Sequence, residues 1–387
     1  MASFFDAPPA APTPAAEPLP AITPEVPQTP PETVQLSTTT NNNSPYSLQA
    51  AITISENSSE VFSVKFSNDG KFLAACCGDG AVRVFNCSTG RLSYNLQIGS
   101  SLALPSTCVK FRPDVDSVKT KNVLICADAV GSVDHWHMTS GKRLHTMTET
   151  TPRTGDKNQV FALDYRPDAT QFVTAGKDTI VRLYDESTKQ LVQSMERGMG
   201  FGPNSSAGHS NRIFSCKYHP GDPNIIVSGG WDNTVQIWDA RTGFSQRSIY
   251  GPHLCGDSLD LQGDVLVTGS WRSDDPLETW DFGTGKKIAS VDWFKSEMSG
   301  QSCMLYAAQF SKDNYTNGYA DKPKFIAAGG SGANEARVFD CANNNSCIGS
   351  ITGLSRGVFT VDWSQQETKF AVAGGDASIR IINVVKN

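Results

Sequence analysis

Ile213-Phe214-Ser215-Cys216-Lys217-Tyr218-His219-Pro220-Gly221-Asp222, then Ile226-Val227-Ser228-Gly229-Gly230-Trp231-Asp232-Asn233-Thr234-Val235-Gln236-Ile237-Trp238-Asp239, is the stretch whose reading decides the fold. Residues 213–218 are an apolar alternating run, and strict alternation is the period of a half-buried strand. His219-Pro220-Gly221-Asp222 is a turn by composition. Residues 226–230 form a small apolar strand closing in glycine. A tight turn at 231–233 leads to a third strand that ends in Trp238-Asp239. The same unit recurs seven times, over about 61–96, 106–147, 159–195, 208–249, 251–291, 303–351 and 356–385. The aromatic-Asp slot reads Phe85-Asn86, Trp136-His137, Tyr184-Asp185, Trp238-Asp239, Trp280-Asp281, Phe339-Asp340 and Ile382-Asn383. Steps between slots run from 42 to 59 residues, and the longer ones place surface insertions at 114–121, 196–207 and 312–324.

This unit resembles the WD40 repeat, whose period is about 40–45 residues. The resemblance implies an all-β, seven-bladed β-propeller with four antiparallel strands per blade. The last strand pattern, 379–385, matches only the third strand of a blade. The alternating run Leu48-Gln49-Ala50-Ala51-Ile52-Thr53-Ile54 is expected to supply the missing fourth strand and close the ring. In the family, residues at the positions of His209, Ser228, Asp232 and Trp238 form a structural hydrogen-bonded tetrad. Only this repeat has the full set. Asp79, Asp178 and Asp376 keep the turn aspartate, whereas Val130 and Ala333 stand where one is expected. Those two turns are expected to be looser.

Composition narrows the function classes. The chain has 387 residues and a formal charge of −6, which disfavours a nucleic-acid partner. No run of 18 apolar residues exists to span a membrane. With no basic, apolar leader visible, the ten cysteines are expected to be reduced thiols, so the expected compartment is cytoplasmic, with nuclear, cytoskeletal or ciliary association left open. His135 and His137 show i, i+2 spacing without a third ligand, so no metal or other cofactor is expected. Residues 1–45 hold 11 of the 21 prolines and no Lys or Arg, and are expected to be a disordered tail before a propeller at 46–387.

The second slot of each first strand holds Phe62, Thr107, Phe161, Phe214, Asp257, Tyr306 and Phe359. In similar propellers this slot lies at the channel mouth on the narrow face. Five aromatics and one acid there suit a guanidinium or ammonium group, against the plainer reading of inter-blade packing. Trp231, Trp271-Arg272 and Lys177 occupy the turns between second and third strands and open on the same rim. Exposed Trp with Arg is interface chemistry. The expected function is a non-catalytic scaffold, a monomeric propeller binding a peptide or protein on that face within a larger assembly. The alternatives are a propeller enzyme, for which Asp257 is the one candidate, and a nucleic-acid-associated adaptor.

Overall fold

The computed structural model describes residues 34–38, 44–55, 57–97, 104–116, 118–198, 207–294, 300–312 and 322–387. Most of the expected tail and the centres of the 196–207 and 312–324 insertions lie outside them. Two strands precede the repeats: β1 (Gln35–Thr38) and β2 (Tyr46–Ile54). Blade one is β3 (Val61–Phe66), β4 (Phe72–Cys77), β5 (Val82–Asn86) and β6 (Leu92–Leu96). Blade two is β7 (Ser106–Phe111), β8 (Val123–Asp128), β9 (Ser132–His137) and β10 (Lys142–Thr148). Blade three is β11 (Val160–Tyr165), β12 (Gln171–Gly176), β13 (Val181–Asp185) and β14 (Leu191–Met195). Blade four is β15 (Ile213–Tyr218), β16 (Ile225–Gly230), β17 (Thr234–Asp239) and β18 (Phe244–Tyr250). Blade five is β19 (Leu259–Gln262), β20 (Val265–Gly269), β21 (Leu277–Asp281) and β22 (Lys287–Ser290). Blade six is β23 (Cys303–Phe310), β24 (Phe325–Gly332), β25 (Ala336–Asp340) and β26 (Ser346–Thr352). Blade seven takes β27 (Val358–Trp363), β28 (Lys369–Gly374) and β29 (Ile379–Lys386), with β2 as its outer strand.

The closing strand pairs with the expected segment. Leu48 faces Val384, Ile52 faces Ile381 and Ile54 faces Ile379. Leu48 and Ile54 are buried, so the strand contributes apolar area as well as hydrogen bonds. The core is not one central mass. It is seven apolar seams, one between each pair of neighbouring blades. The seam holding Ile54, Val61, Leu73, Ile379 and Ile381 joins blade seven to blade one. The second strands are made of small residues because those seams are tight. A Cβ on Gly229 would come within 2.7 Å of Leu254, and one on Gly230 would strike the carbonyl oxygen of Arg212.

Two expectations are corrected here. The segment 1–45 is not wholly tail, because β1 pairs antiparallel with β26 and makes blade six five-stranded. A single apolar residue, Leu36, packs on the blade six–seven seam, and one leucine beside a Pro-rich stretch gave no readable alternation. In blade two the turn that lacks an aspartate at Val130 is closed from two residues earlier. Asp128 Oδ1 accepts from the Val130 and Ser132 amides at 2.9 and 2.8 Å.

Deleting residues 1–55 removes β2, exposes the β29 edge and uncovers the seam around Ile54. Its expected outcome is aggregation and loss of the cooperative melt, whereas the chain lacking 1–33 stays soluble and melts cooperatively. Light scattering during a thermal ramp distinguishes them, and a soluble, cooperative 56–387 fragment would refute the closure role.

Candidate functional site

The first strand of six blades begins with the same irregularity. Pairing with the second strand slips by one residue between Val61 and Ser63, Ser106 and Cys108, Val160 and Ala162, Ile213 and Ser215, Leu305 and Ala307, and Val358 and Thr360. The extra residue is in each case the second-slot residue. A bulge re-aims its side chain out of the pleat, here into the central channel. Phe62, Phe161, Phe214, Tyr306 and Phe359 are accordingly half-buried among fully buried neighbours. With Thr107 and Asp257 they line a cavity of about 430 Å³.

The rings form two arcs. Tyr306, Phe359 and Phe62 run across blades six, seven and one, with centroids 5.5 and 5.7 Å apart. Phe161 and Phe214 stack at 4.9 Å across blades three and four. Thr107 and Asp257 fill the two breaks. The Thr107 hydroxyl donates to the carbonyl of Val160 at 2.5 Å and ties blade two to blade three. Trp231 extends one arc, 5.4 Å from Phe214, and Trp271 extends the other, 6.4 Å from Tyr306. Both tryptophans remain exposed, at 37% and 38%. Trp231 also stacks on His253 and lies under the Arg212 guanidinium at 5.1 Å.

The structure does not leave Asp257 free to receive a cation. Its carboxylate lies 2.8 Å from both Lys65 and Lys217, and it accepts from Ser215 Oγ and Gln309 Nε2. Burial opposes its ionisation, but the two ammonium groups win and hold its carboxyl well below the usual range. Arg272 is likewise committed, to Glu278 at 2.6 Å and to the carbonyls of Gly251 and Asp275. Lys177 is exposed on its turn.

Below the aromatic ring lies a polar belt that the sequence reading missed. The fifth residue of the seven first-strand segments is Lys65, Lys110, Asp164, Lys217, Asp260, Gln309 and Asp362. Lys110 pairs with Asp164 at 2.7 Å, and Lys312 pairs with Asp362 at 2.7 Å. The aspartates also latch blades together. Asp362 accepts the Phe66 amide at 2.8 Å, Asp164 the Tyr218 amide at 2.9 Å and Asp260 the Phe310 amide at 3.0 Å. A polar residue between two apolar ones, at a fixed place in every repeat and charged in all but the sixth, was the signal available.

His209, Ser228, Asp232 and Trp238 meet inside blade four. His209 Nδ1 is 2.8 Å from Asp232 Oδ2, its Nε2 is 2.8 Å from Ser228 Oγ, and the Trp238 indole donates to Ser228 Oγ at 2.7 Å. Burial opposes ionisation of Asp232, yet the His209 hydrogen bond holds its pKa below the ordinary value. The order Ser–His–Asp matches a hydrolase triad, but Ser228 is fully buried and its oxygen already accepts from Trp238. Blade three solves the same problem with buried Glu149, which accepts from Tyr184, Asn158 and Arg182 at 3.0–3.2 Å. His135 is buried against Glu186 at 3.1 Å, while His137 bonds Ser140. Among the described residues no group of three potential metal ligands converges.

A seven-bladed ring of this kind matches what the family models find. The model described as WD domain, G-beta repeat matches residues 141–185, 203–239 and 345–383, and the anaphase-promoting complex subunit 4 WD40 domain matches 43–114. The chain is a WD40-repeat protein. Among its relatives is the guanine nucleotide-binding protein subunit beta of Oryza sativa subsp. japonica, 24% identical over 63% of this chain and 61% of the relative. The ribosome biogenesis protein WDR12 homolog of Drosophila mojavensis is 23% identical over 60% and 52%. That of Drosophila virilis is 21% identical over 81% and 70%. The match thus spans between half and two thirds of the first two relatives' own lengths. No helix among the described residues of this WD40 protein is long and apolar enough to cross a membrane.

Replacing Asp257 by Asn would take from Lys217 its carboxylate partner at 2.8 Å and leave Lys65 to the more distant Asp362 at 3.5 Å, at a cost of roughly 3–5 kcal/mol. The lowered pKa of Asp257 fixes the pH window. Wild type holds this stability fully above about pH 4 and loses it as pH falls through the folded pKa, so the gap to the variant narrows in acid. Urea unfolding at pH 7 and at pH 3 measures both. A gap below about 1 kcal/mol at pH 7 would show that the cluster is not held by Asp257.

Proposed function

We propose that this WD40 protein is a non-catalytic scaffold that docks a peptide or protein over the channel mouth, on the rim carrying the turns between second and third strands. The observation that carries the reading is the pair of exposed tryptophans, Trp231 and Trp271, on adjacent blades. Each touches a ring of the half-buried aromatic arc. Soluble surfaces seldom leave aromatics contiguous with an open apolar cavity, and interfaces favour such groups. Lys177, Arg272 and the channel residues Phe62, Phe161, Phe214, Tyr306 and Phe359 complete the surface, with Asp257 as its structural floor.

An enzyme at this mouth would need a free nucleophile or an acid–base pair. The cavity's one lining carboxylate, Asp257, is neutralised by two lysines. Kinship to a protein named as a subunit supports a role within an assembly.

The test is affinity capture from the source cell with wild type beside a Trp231→Ala, Trp271→Ala double variant of matching circular dichroism. Discrete proteins retained by wild type and lost by the variant are the expected outcome. Identical captures from both would move the docking surface elsewhere.

A further inference from the structure

The rim is not symmetric around its seven blades. The residue whose amide bonds back to the start of the first strand is Gly78 in blade one, Ala129 in blade two, Lys177 in blade three, Trp231 in blade four, Trp271 in blade five, Ala333 in blade six and Gly375 in blade seven. Large side chains therefore form a wall over blades three to five, and small ones leave the other four low. At Gly78 and Gly375 the rings of Phe62 and Phe359 come within 3.6 and 3.2 Å of where a Cβ would stand, so those rings form the low side directly. Among the described residues the cavity is consequently open toward blades six, seven, one and two.

Charge on the wall is one-sided over blades three and four. Their turn carboxylates are spent, Asp178 on Arg182 and Asp232 on His209. Among the described residues, Lys177 and Arg212 have no carboxylate partner, and Arg212 rests on the face of Trp231. Inside the cavity the balance also excludes an added cation. The Lys65 and Lys217 ammonium groups, with side chains 7% and 10% exposed, already occupy the carboxylate of Asp257. A guanidinium entering from above would meet stacked rings and then two buried positive charges. Much of the remaining wall, Cys108, Leu163 and Cys216 included, is apolar.

Resting on the docking reading above, we infer that the cavity takes a large apolar side chain, Leu, Phe or Trp, from a peptide segment whose flanking residues are acidic. The apolar anchor fills the space between the two aromatic arcs. The acidic flank crosses blades three and four, where Lys177 and Arg212 meet it. The rest of the segment leaves over the low side.

The probes are fluorescein-labelled seven-residue peptides with Leu, Phe, Trp, Ala or Arg at the centre and either Glu or Lys on both sides, read by fluorescence polarisation against the full chain. Glu-flanked peptides with a large apolar centre should bind at least about tenfold tighter than the Ala- or Arg-centred ones, the difference expected for one buried anchor. Arg212→Glu with Lys177→Glu, both surface changes, should invert the flank preference and leave the preference for the centre intact. Equal or tighter binding of Arg-centred peptides, a Lys-flank preference in wild type, or no binding by any peptide overturns the inference. The docking reading fails separately. A preference for apolar centres that survives unchanged in Trp231→Ala, Trp271→Ala and in Phe214→Ala would place the peptide elsewhere on the molecule.

Discussion

A four-stranded sheet cannot bury both faces alone, and in this chain each blade depends on its neighbours for a core. Every seam is apolar and shared, so no blade is complete until the one beside it is in place. That interdependence makes the pairing of β2 with β29 the constraint on which the structure rests. Without it the seam between blades seven and one loses Ile54, and an open strand edge is left at the break. Closure also sets the positions of seven first strands around one axis, and everything at the channel mouth follows from that arrangement.

The channel is organised by level. At one level a bulge in six strands turns an aromatic or a threonine inward. At another, lysines and aspartates pair across blades, and aspartates accept backbone amides from neighbouring blades. The charged level is costly to desolvate, and the lysine–aspartate pairs within it offset that cost. A rigid, neutral floor beneath a ring of aromatics keeps the cavity from collapsing on itself. The same floor removes Asp257 from the groups able to receive a ligand's charge.

Strands, blade count, closing strand and tetrad were legible in the sequence because each has a periodic or positional signature. Trp238 and His209 sit at spacings that recur, and Ile52 and Ile54 alternate as an outer strand must. Asp257 was placed at the mouth, but its partners were not readable. Lys65 lies 192 residues away and Lys217 on another blade, so only closure brings them together. The bulges were invisible for a different reason: one extra residue in a strand leaves the apolar pattern intact while changing where Phe62 or Phe214 points. β1 was missed because its pairing depends on main-chain groups, and its single useful side chain, Leu36, sits beside prolines.

Ring closure by distant strands also orders events in time. Ser47 donates to Asn387 at 2.6 Å across 340 positions of sequence. A ribosome adding roughly 5–20 residues per second makes β2 well before β29 exists. Throughout that interval the nascent chain carries a finished blade one whose outward seam has no partner. Blades can stack as they emerge, but the last seam forms only after the whole ring has been made. The chain is thus most exposed to misassociation late in synthesis, when most of its blades are already folded.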